Sequence, residues 1–257
     1  MLKWNTIHQL CLLSLCTLLL FHSGCKKDGT VVTGPNNNQP PPPTPVQTLA
    51  LTSATPYTSS TLPGKYSIDQ QTNYWSVIGL RPPSTADYDL KLFRDSLFVT
   101  ALDSSQADVG EVDFVVGDFN HNTLGKYYPH VAMYSGSGSY AVEWEDGNDQ
   151  LTVPGTTAAI TWTNTTIVKV WDVNLTGGTA RTFTVRVTSG TADIGAALFG
   201  SNGTTYYGRR SGAAIEADAG GNGLTESFTY TPSTTDWYGF VVWTNNAASA
   251  TITIQVQ

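Results

Sequence analysis

Hydrophobic and polar residues alternate along most of the chain from residue 49 onward. The segments YAVEWED (140–146), ARTFTVRVT (180–188) and ATITIQV (250–256) each place apolar side chains on one face and polar ones on the other. A period of two is typical of antiparallel strands with one buried face. Asn202-Gly203, between two further apolar runs, is a strong hairpin signal. Since no window of about a dozen residues carries a period of 3.6, the pattern predicts an all-β fold.

Two parts of the chain repeat. The stretch YYPHVAMYSGSGSYAVEWE (127–145) aligns without a gap with WYGFVVWTNNAASATITIQ (237–255), at an offset of 110 residues. The stretch STADYDLKLF (84–93) aligns with GTADIGAALF (190–199), at an offset of 106 residues. Because an aromatic pair, an apolar strand, a polar turn and an alternating strand recur in one order, we expect two related units.

The repeat predicts two tandem antiparallel β-sandwich modules of the jelly-roll-like kind, at residues 49–150 and 151–257. Each has about 100 residues, the size of a small sandwich, and LTVPGTT (151–157) is the expected joint. Two strand patterns precede the Thr-Ala-Asp of the second module, whereas one obvious pattern, YWSVIGL (74–80), precedes that of the first. The first module has therefore lost a strand or carries it within residues 50–70.

The strand pattern resembles the bacterial pre-peptidase C-terminal domain. In the second module the resemblance is carried by VWDVNL, RTFTVRVTSGTADIGAALF, ESFTYTPSTTDWYGFVVW and ATITIQV. In the first it is carried more loosely by YWSVIGL, DYDLKLF, VDFVVGD, KYYPHV and YAVEWE, so that it covers most of residues 66–257. The resemblance implies small, non-catalytic β-sandwiches, which in some members of that family bind calcium or a polymeric substrate.

The N-terminus predicts an exported lipoprotein. An apolar run at residues 10–21 follows a positive residue, which is typical of a signal peptide. The next four residues, HSGC (22–25), resemble the lipobox of bacterial lipoproteins, although His22 stands where that family has an aliphatic residue. We expect residues 1–24 to be a lipoprotein signal peptide and Cys25 to be lipidated. An ordinary secretory signal cut near Gly24 is the alternative.

The residues after that cysteine predict a tether in the bacterial cell envelope. Removing the signal peptide leaves Cys25 as the single thiol, so no disulfide within the chain is possible, and acylation would attach the protein to a membrane. Residues 25–48 include four consecutive prolines and predict an extended linker. Lys26, rather than the aspartate that retains some lipoproteins at the inner membrane, indicates the outer membrane or cell surface.

The charge balance argues against nucleic acid as a partner. The chain carries 13 Lys and Arg against 20 Asp and Glu. Without residues 1–24, which contain Lys3 and no acid, the balance is 12 − 20 = −8. Nucleic-acid binding depends on basic groups that neutralise phosphates. We expect a monomer that requires no cofactor.

Asp87 and Asp89 are candidate calcium ligands. Two residues apart on a strand, they point to the same face, and two carboxylates could contribute to a Ca²⁺ site of six to eight oxygens. The repeat keeps Asp193 at the first position but has Gly195 at the second. A turn aspartate that caps backbone groups, with Lys91 neutralising the second acid, is the alternative.

Catalytic motifs are scarce, and we expect no enzyme. The segment DFNHN (118–122) matches the first positions of an EF-hand loop but lacks its glycine and its final glutamate, so we expect a polar turn. His121 and His130 are the two histidines beyond the signal peptide, and no nucleophile motif accompanies them. Glu143, Glu145 and Asp146, which could be drawn as glycosidase acids, are expected on a solvated strand face.

Aromatic residues are the best sign of binding. Tyr206, Tyr207, Arg209 and Arg210 flank the predicted hairpin tip, where rings and guanidinium groups suit a polysaccharide or an extracellular protein. The alternative is one buried tyrosine, one exposed tyrosine and two solvated arginines.

Two aromatic pairs, one beginning with Tyr127 and the other with Trp237, also begin strands, so one ring of each pair should face away from the core. The sequence thus predicts a polymer-binding or partner-binding envelope protein. A structural spacer without a ligand is the alternative.

Overall fold

The computed structural model describes residues 43–121, 123–200 and 205–257, without the side chains of Arg210 and Ser211. The predicted signal peptide, Cys25, most of the linker and the Asn202-Gly203 hairpin tip lie outside the described residues. From residue 43 onward the chain forms one compact unit. The alternation correctly predicts its all-β class. Within the described ranges, no helix has the length and hydrophobicity to cross a membrane.

Twenty strands and one helical turn occur in the described ranges. They are β1 (Leu49–Ala50), β2 (Tyr57–Ser59), β3 (Gly64–Gln70), β4 (Trp75–Arg81), β5 (Asp87–Phe93), β6 (Ala101–Ser105), β7 (Asp113–Asp118), β8 (Gly125–Ser135), β9 (Tyr140–Asp146), β10 (Gln150–Leu151), β11 (Gly155–Thr156), β12 (Ile160–Trp162), β13 (Val168–Leu175), β14 (Arg181–Gly190), β15 (Ile194–Phe199), β16 (Tyr206–Gly208), α1 (Arg209–Gly212), β17 (Ile215–Ala217), β18 (Glu226–Tyr230), β19 (Asp236–Thr244) and β20 (Ala250–Val256).

The strands form four sheets. Sheet 1 has the order β1-β3-β8-β5-β6, and sheet 2 has the order β16-β7-β4-β9-β2. Sheet 3 has the order β10-β13-β19-β15-β17, and sheet 4 has the order β11-β20-β14-β18 with β12 also paired to β20. Sheets 1 and 2 enclose one apolar core and form sandwich 1, while sheets 3 and 4 enclose another and form sandwich 2.

The two sandwiches repeat one topology. In each, a short strand pairs in parallel with the first long strand, β1 with β3 and β10 with β13, whereas the other pairings are antiparallel. The order β1-β3-β8-β5-β6 matches β10-β13-β19-β15-β17, and β2-β9-β4-β7 matches β11-β20-β14-β18. Strand β3 is the strand of the first module that the sequence left unplaced within residues 50–70.

The gapless alignment is one residue out of phase for β8 and β19. It places Tyr127 opposite Trp237, but the inward residue of β19 is Tyr238. The hydroxyl of Tyr127 donates to the carbonyl of Thr123, and that of Tyr238 donates to the carbonyl of Thr234 (3.2 Å), so these two tyrosines correspond. The offset is therefore 111 residues for β8 and β19 and 110 residues for β9 and β20. The difference of one residue matters because a slip of one residue exchanges the two faces of a strand.

A third apolar layer joins the sandwiches. Sheets 2 and 3 pack against each other, so the layers follow the order sheet 1, sheet 2, sheet 3, sheet 4. Gly239 of sheet 3 allows close approach, since a Cβ there would lie 2.6 Å from the ring of Trp75 in sheet 2. Strand β7 is buried on both faces for the same reason. The buried residues of this layer are Trp75, Val77, Val112, Phe114, Val116, Ile167, Val168, Val170, Ala197, Phe199, Tyr207, Val241 and Trp243.

Candidate functional site

Tyr206 and Tyr207 lie in the protein interior rather than on a binding loop. They belong to β16, which leaves sandwich 2 and pairs with β7 at the edge of sheet 2. Tyr206 packs in the core of sandwich 1, and Tyr207 packs in the layer between the sandwiches. The expectation of exposed rings here is wrong, because the pairing with β7 places one face of β16 in the core of sandwich 1 and the other in the layer between the sandwiches.

Arg209 is buried, which contradicts the expected solvated guanidinium. Its Nη2 lies 3.0 Å from Glu216 Oε1 and 2.7 Å from Asp218 Oδ2, and its Nη1 lies 3.7 Å from Glu111 Oε2. The guanidinium carbon stands 4.4 Å from the ring centroid of Trp243. Buried charges require such pairing, so Arg209 links the two sandwiches. The Arg210 side chain lies outside the described part of the chain.

Of the two strand-initiating aromatics, Tyr127 is fully buried and Trp237 is partly buried. The main-chain carbonyl of Trp237 accepts a hydrogen bond from the Trp75 indole at 3.3 Å. Tyr128, the partner of Tyr127 in its pair, is partly exposed. The exposed tyrosines of the described residues are Tyr57 and Tyr134, which the sequence did not single out.

Asp87 and Asp89 both lie on β5 and point to the solvent side of sheet 1, as predicted. Gln106 Nε2 donates to Asp89 Oδ2 at 3.4 Å. Partial burial, followed by the nearby carboxylates of Asp89 and Asp108, raises the pKa of Asp87. Among the described residues, no group of three or more His, Cys, Asp or Glu side chains is arranged to hold a metal ion.

The glutamates of β9 are not on a solvated face, so that prediction is wrong. Glu143 accepts a hydrogen bond from the Val168 N–H (3.2 Å), and Glu145 accepts one from the Val170 N–H (2.8 Å). Lys169 Nζ lies 3.2 Å from Glu145 Oε1. The carboxylates of sheet 2 thus bind backbone N–H groups of β13 in sheet 3. Burial is the main cause that raises the pKa of Glu145 to about 7.

A second buried carboxylate pair lies near the DFNHN turn. Asp172 accepts a hydrogen bond from the Trp75 N–H (2.9 Å) and one from the Asn120 side chain (3.4 Å). His121 Nδ1 lies 2.9 Å from Asp118 Oδ2, and this hydrogen bond raises the pKa of the histidine. Burial raises the pKa of Asp172 to about 6. Asp118 and Asn120 are therefore tied to the packing of the sandwiches, while Asn122 lies outside the described residues.

An aromatic cluster stands on the solvent-facing side of sheet 1, which we call the outer face. Phe98 is its centre, with ring centroids 5.4 Å from Phe93, 6.2 Å from Tyr128 and 5.4 Å from His130. Lys65 Nζ lies 5.4 Å from the centroid of the Phe98 ring. Further along β8, at the register shift in its pairing with β5, Tyr134 is 76% exposed. The rings of Phe93 and Tyr128 each meet Phe98 edge to face, at interplanar angles of 74°, so the cluster is a compact aromatic patch on the outer face.

The loop between β5 and β6 presents Phe98 over this face. Asp95 accepts hydrogen bonds from the N–H groups of Leu97 (3.0 Å), Val99 (3.2 Å) and Thr100 (2.7 Å). The Thr100 N–H is the main cause that lowers the pKa of Asp95. Phe98 has a φ of 58°, which is uncommon outside glycine. A strained residue within a well-bonded loop is a feature of functional surfaces.

A basic row crosses the outer face. Lys65 of β3 and Lys91 of β5 are both directly opposite His130 of β8. The three side chains therefore stand side by side across three strands spaced roughly 5 Å apart. Burial, then the charges of Lys65 and Lys91, lowers the pKa of His130.

The sequence carried part of this signal. The alternation in YYPHVAMY (127–134) puts Tyr128, His130 and Tyr134 on one face of β8. The loop that brings Phe98 to them, and the pairing that brings Lys65 and Lys91 beside His130, connect residues far apart in the chain.

Comparison with known proteins does not place the chain in a family. No family model matches it, and no curated protein matches it. It is similar to a protein of Eubacterium rectale inferred to be secreted, at 12% identity and a TM-score of 0.24 over 76% of this chain and 68% of that chain. It is also similar to a turret protein of Sulfolobus turreted icosahedral virus, at 10% identity and a TM-score of 0.21 over 79% and 97%. At these TM-scores the likeness carries no argument about function.

Proposed function

We propose that this protein is a non-catalytic, lipid-anchored protein of the bacterial cell envelope that binds an extracellular polymer through the outer face of sandwich 1. The two sandwiches, which resemble pre-peptidase C-terminal domains, would stand away from the membrane on the Pro-rich linker. The partly exposed rings of Phe98 and Tyr128 beside Lys65 carry the proposal, with Phe93, which is only 9% exposed, supporting Phe98. Rings of this kind stack on the apolar faces of sugars or peptides, and basic side chains add polar contacts.

The opposite end of the molecule supports assigning the binding surface to sheet 1. The outer face of sheet 4 carries threonine and serine side chains that bond to each other, Thr182 with Thr229 (2.8 Å) and Thr184 with Ser227 (3.1 Å). These side chains use their hydroxyl groups to bond to each other, and they are hydroxyls rather than rings on which a ligand could stack. Sheet 1 therefore has the features of a binding face, and sheet 4 has those of a solvated one.

A structural spacer is the second candidate, and the layer between the sandwiches favours it. Trp75, Phe114 and Trp243 are fully buried there, and the Arg81 guanidinium donates to the carbonyls of Asn164 (3.0 Å) and Asn246 (3.1 Å). Two sandwiches joined over both apolar and polar contacts should move as one rod, which would suit a role in holding a partner at a distance.

Retention of the purified protein on insoluble polysaccharides, collagen and peptidoglycan tests the proposal. We expect retention on one polymer, and a loss of at least roughly tenfold in affinity for the Phe98→Ala/Tyr128→Ala variant, since central aromatic contacts contribute about 2 kcal/mol or more. The matched control is Thr182→Ala/Thr184→Ala on sheet 4, which should bind like the wild type.

Retention on no polymer, or equal retention by the aromatic variant, would favour the spacer. Each assay is repeated with calcium and with a chelator. Loss of retention with the chelator would assign a Ca²⁺ site to Asp87 and Asp89, and Asp89→Asn should then reproduce that loss. Unchanged retention and melting temperature would leave both aspartates as surface groups of β5.

A further inference from the structure

We infer that the basic row of Lys65, His130 and Lys91 is an anion-binding site, and that the polymer bound by the outer face is an acidic polysaccharide bearing carboxylate or sulfate groups. The inference rests on the proposed function and adds the chemical class of the ligand. It depends on where three basic side chains stand, which charges surround them, and which rings lie beside them.

The three basic side chains stand in one row across sheet 1. His130 is directly opposite Lys65 on one side and Lys91 on the other, and all three are partly exposed on the face away from the core. With strands roughly 5 Å apart, the row spans about 10 Å. The long side chains of the two lysines can converge from either side on the oxygens of one carboxylate or sulfate group, and the imidazole of His130 offers an N–H donor between them.

The positive charges of the two lysines in this row are not paired with carboxylates of the described residues. The ion pairs of the described residues involve Lys169, Arg209 and His121, so neither Lys65 nor Lys91 has a carboxylate of the described residues within 4.0 Å. The chain as a whole has a net charge of −7. Two unpaired lysines flanking a histidine in an acidic protein form a local positive potential, which a negatively charged ligand would neutralise.

The rings beside the basic row favour a glycan over another polyanion. Phe98 lies beside both Lys65 (5.4 Å to the ring centroid) and His130 (5.4 Å between centroids), and Tyr128 adjoins Phe98 (6.2 Å). A sugar ring could stack on Phe98 while its acidic substituent reaches the basic row. The outer side of β8 extends from Tyr128 to Tyr134, roughly 20 Å, which is long enough for several units of a linear chain.

Protonation of His130 should be linked to binding. An anion favours the charged imidazolium, so a ligand should raise the pKa of His130, which burial and then the charges of Lys65 and Lys91 lower. Affinity should therefore increase as the pH falls through the range in which His130 titrates. The charged groups of this face that stand nearest in the chain or across the strands are Lys65 on β3, Asp89 and Lys91 on β5, Arg94 and Asp95 in the loop after β5, and Lys126 on β8.

Matched polymers that differ only in charge provide the test. Polygalacturonate is compared with its methyl ester, and heparin with desulfated heparin. We expect retention on the acidic member of a pair, about tenfold weaker binding for Lys65→Gln or Lys91→Gln, and weaker binding at higher salt. The control is Arg186→Gln, which removes one positive charge from the exposed face of β14.

A second readout does not require a polymer. The side-chain NMR signal of His130, assigned with His130→Gln, should move and titrate at higher pH when galacturonate or sulfate is added to the purified protein. The signal of His121, which is paired with Asp118, should stay unchanged.

The outcomes separate the two proposals. Equal retention on charged and neutral polymers, unaffected by the lysine variants, would overturn the anion site and leave polymer binding intact. Retention on no polymer would overturn the proposed function, and an unmoved His130 signal would independently overturn the anion site. Binding to single-stranded DNA or anionic vesicles in preference to the acidic polysaccharides would overturn the assignment to a glycan.

Discussion

Sheets 1 and 3 occupy the same place in the repeated topology, yet their faces away from their own cores differ completely. At the centre of sheet 1, Lys65, His130 and Lys91 are opposite one another. At the corresponding centre of sheet 3 the three positions are Val170, Val241 and Ala197, which are opposite one another in the same way. The apolar set is buried against sheet 2, whereas the basic set faces away from both sandwiches.

The second pair of sheets shows the converse. Strand β4 of sheet 2 points Trp75 and Val77 into the layer between the sandwiches. The corresponding strand β14 of sheet 4 points Thr182 and Thr184 away from its core, towards the open face. The polarity of a position therefore follows its place in the stack of four sheets and not its place in the repeat. Polar outer faces on terminal units end such a stack.

The largest effect is expected when the basic side chain of one sheet is placed in the other. Val241→Lys puts an unpaired ammonium group into the buried layer, where Val241 is 0% exposed. Burial of an unpaired charge should lower the free energy of unfolding by about 4 kcal/mol or more. Urea unfolding measures the change. A loss below about 1 kcal/mol would show that the two sandwiches separate easily.

Arg209→Ala should destabilise the protein by about 3–5 kcal/mol, because removing one partner of a buried ion pair leaves the other uncompensated. The carboxylates of Glu216 and Asp218 would lose their common partner. Urea unfolding of the variant measures the change, with Arg186→Ala on the exposed face of β14 as control. Polymer binding by the outer face should survive, since Arg209 lies on the far side of sheet 2. Loss of binding together with stability would mean that the two regions are coupled.

The stability of the molecule should fall as the pH rises through neutrality. Burial raises the pKa values of Glu145 to about 7, and of Asp113 and Asp172 to about 6. A raised carboxyl pKa means that the folded protein holds protons that the unfolded chain releases, so stability declines with increasing pH between the unfolded and folded values. At about 1.4 kcal/mol per unit, the decline from about pH 5 to about pH 8 should be a few kcal/mol.

Glu145→Gln isolates one part of that decline. An amide keeps most of the shape of the side chain but does not titrate, so the variant should show a smaller loss of unfolding free energy between the two pH values. Thermal melting across the range measures it. A pH profile identical to that of the wild type would show that Glu145 is solvated in solution and that its contacts with Val170 and Lys169 contribute little.

The smallest effect is expected for the reverse exchange. His130→Val places the residue of the covered sheet on the outer face, where it removes a partly exposed ring that contacts Phe98, and we expect stability to change by no more than about 1 kcal/mol. Urea unfolding should give a value close to wild type, while binding to an acidic polymer should weaken. A loss of stability comparable with that of Val241→Lys would contradict the contrast between the exposed and covered sheets.

The alternation of the chain determined the all-β class and most strand faces, and the recurrence of Thr-Ala-Asp indicated the repeated topology. These features are local: a period of two selects a strand and its apolar side. The alignment of Tyr127 with Trp237 instead of Tyr238 also has a local cause. The two segments share few identical residues that could fix the register, and a shift of one residue reverses the faces of a strand.

Only the tertiary structure decided what covers each strand. EVDFVVGD reads as a half-buried strand, but β7 is buried on both faces because sheet 3 packs against it. Tyr207 and Arg209 follow a hairpin signal that suggests a surface, yet β16 joins the neighbouring sandwich. Lys65 and Lys91 form one basic row with His130 only because strand pairing places them on either side of it. Alternation specifies which way a side chain points, whereas its burial and its partners depend on segments that are distant in the chain.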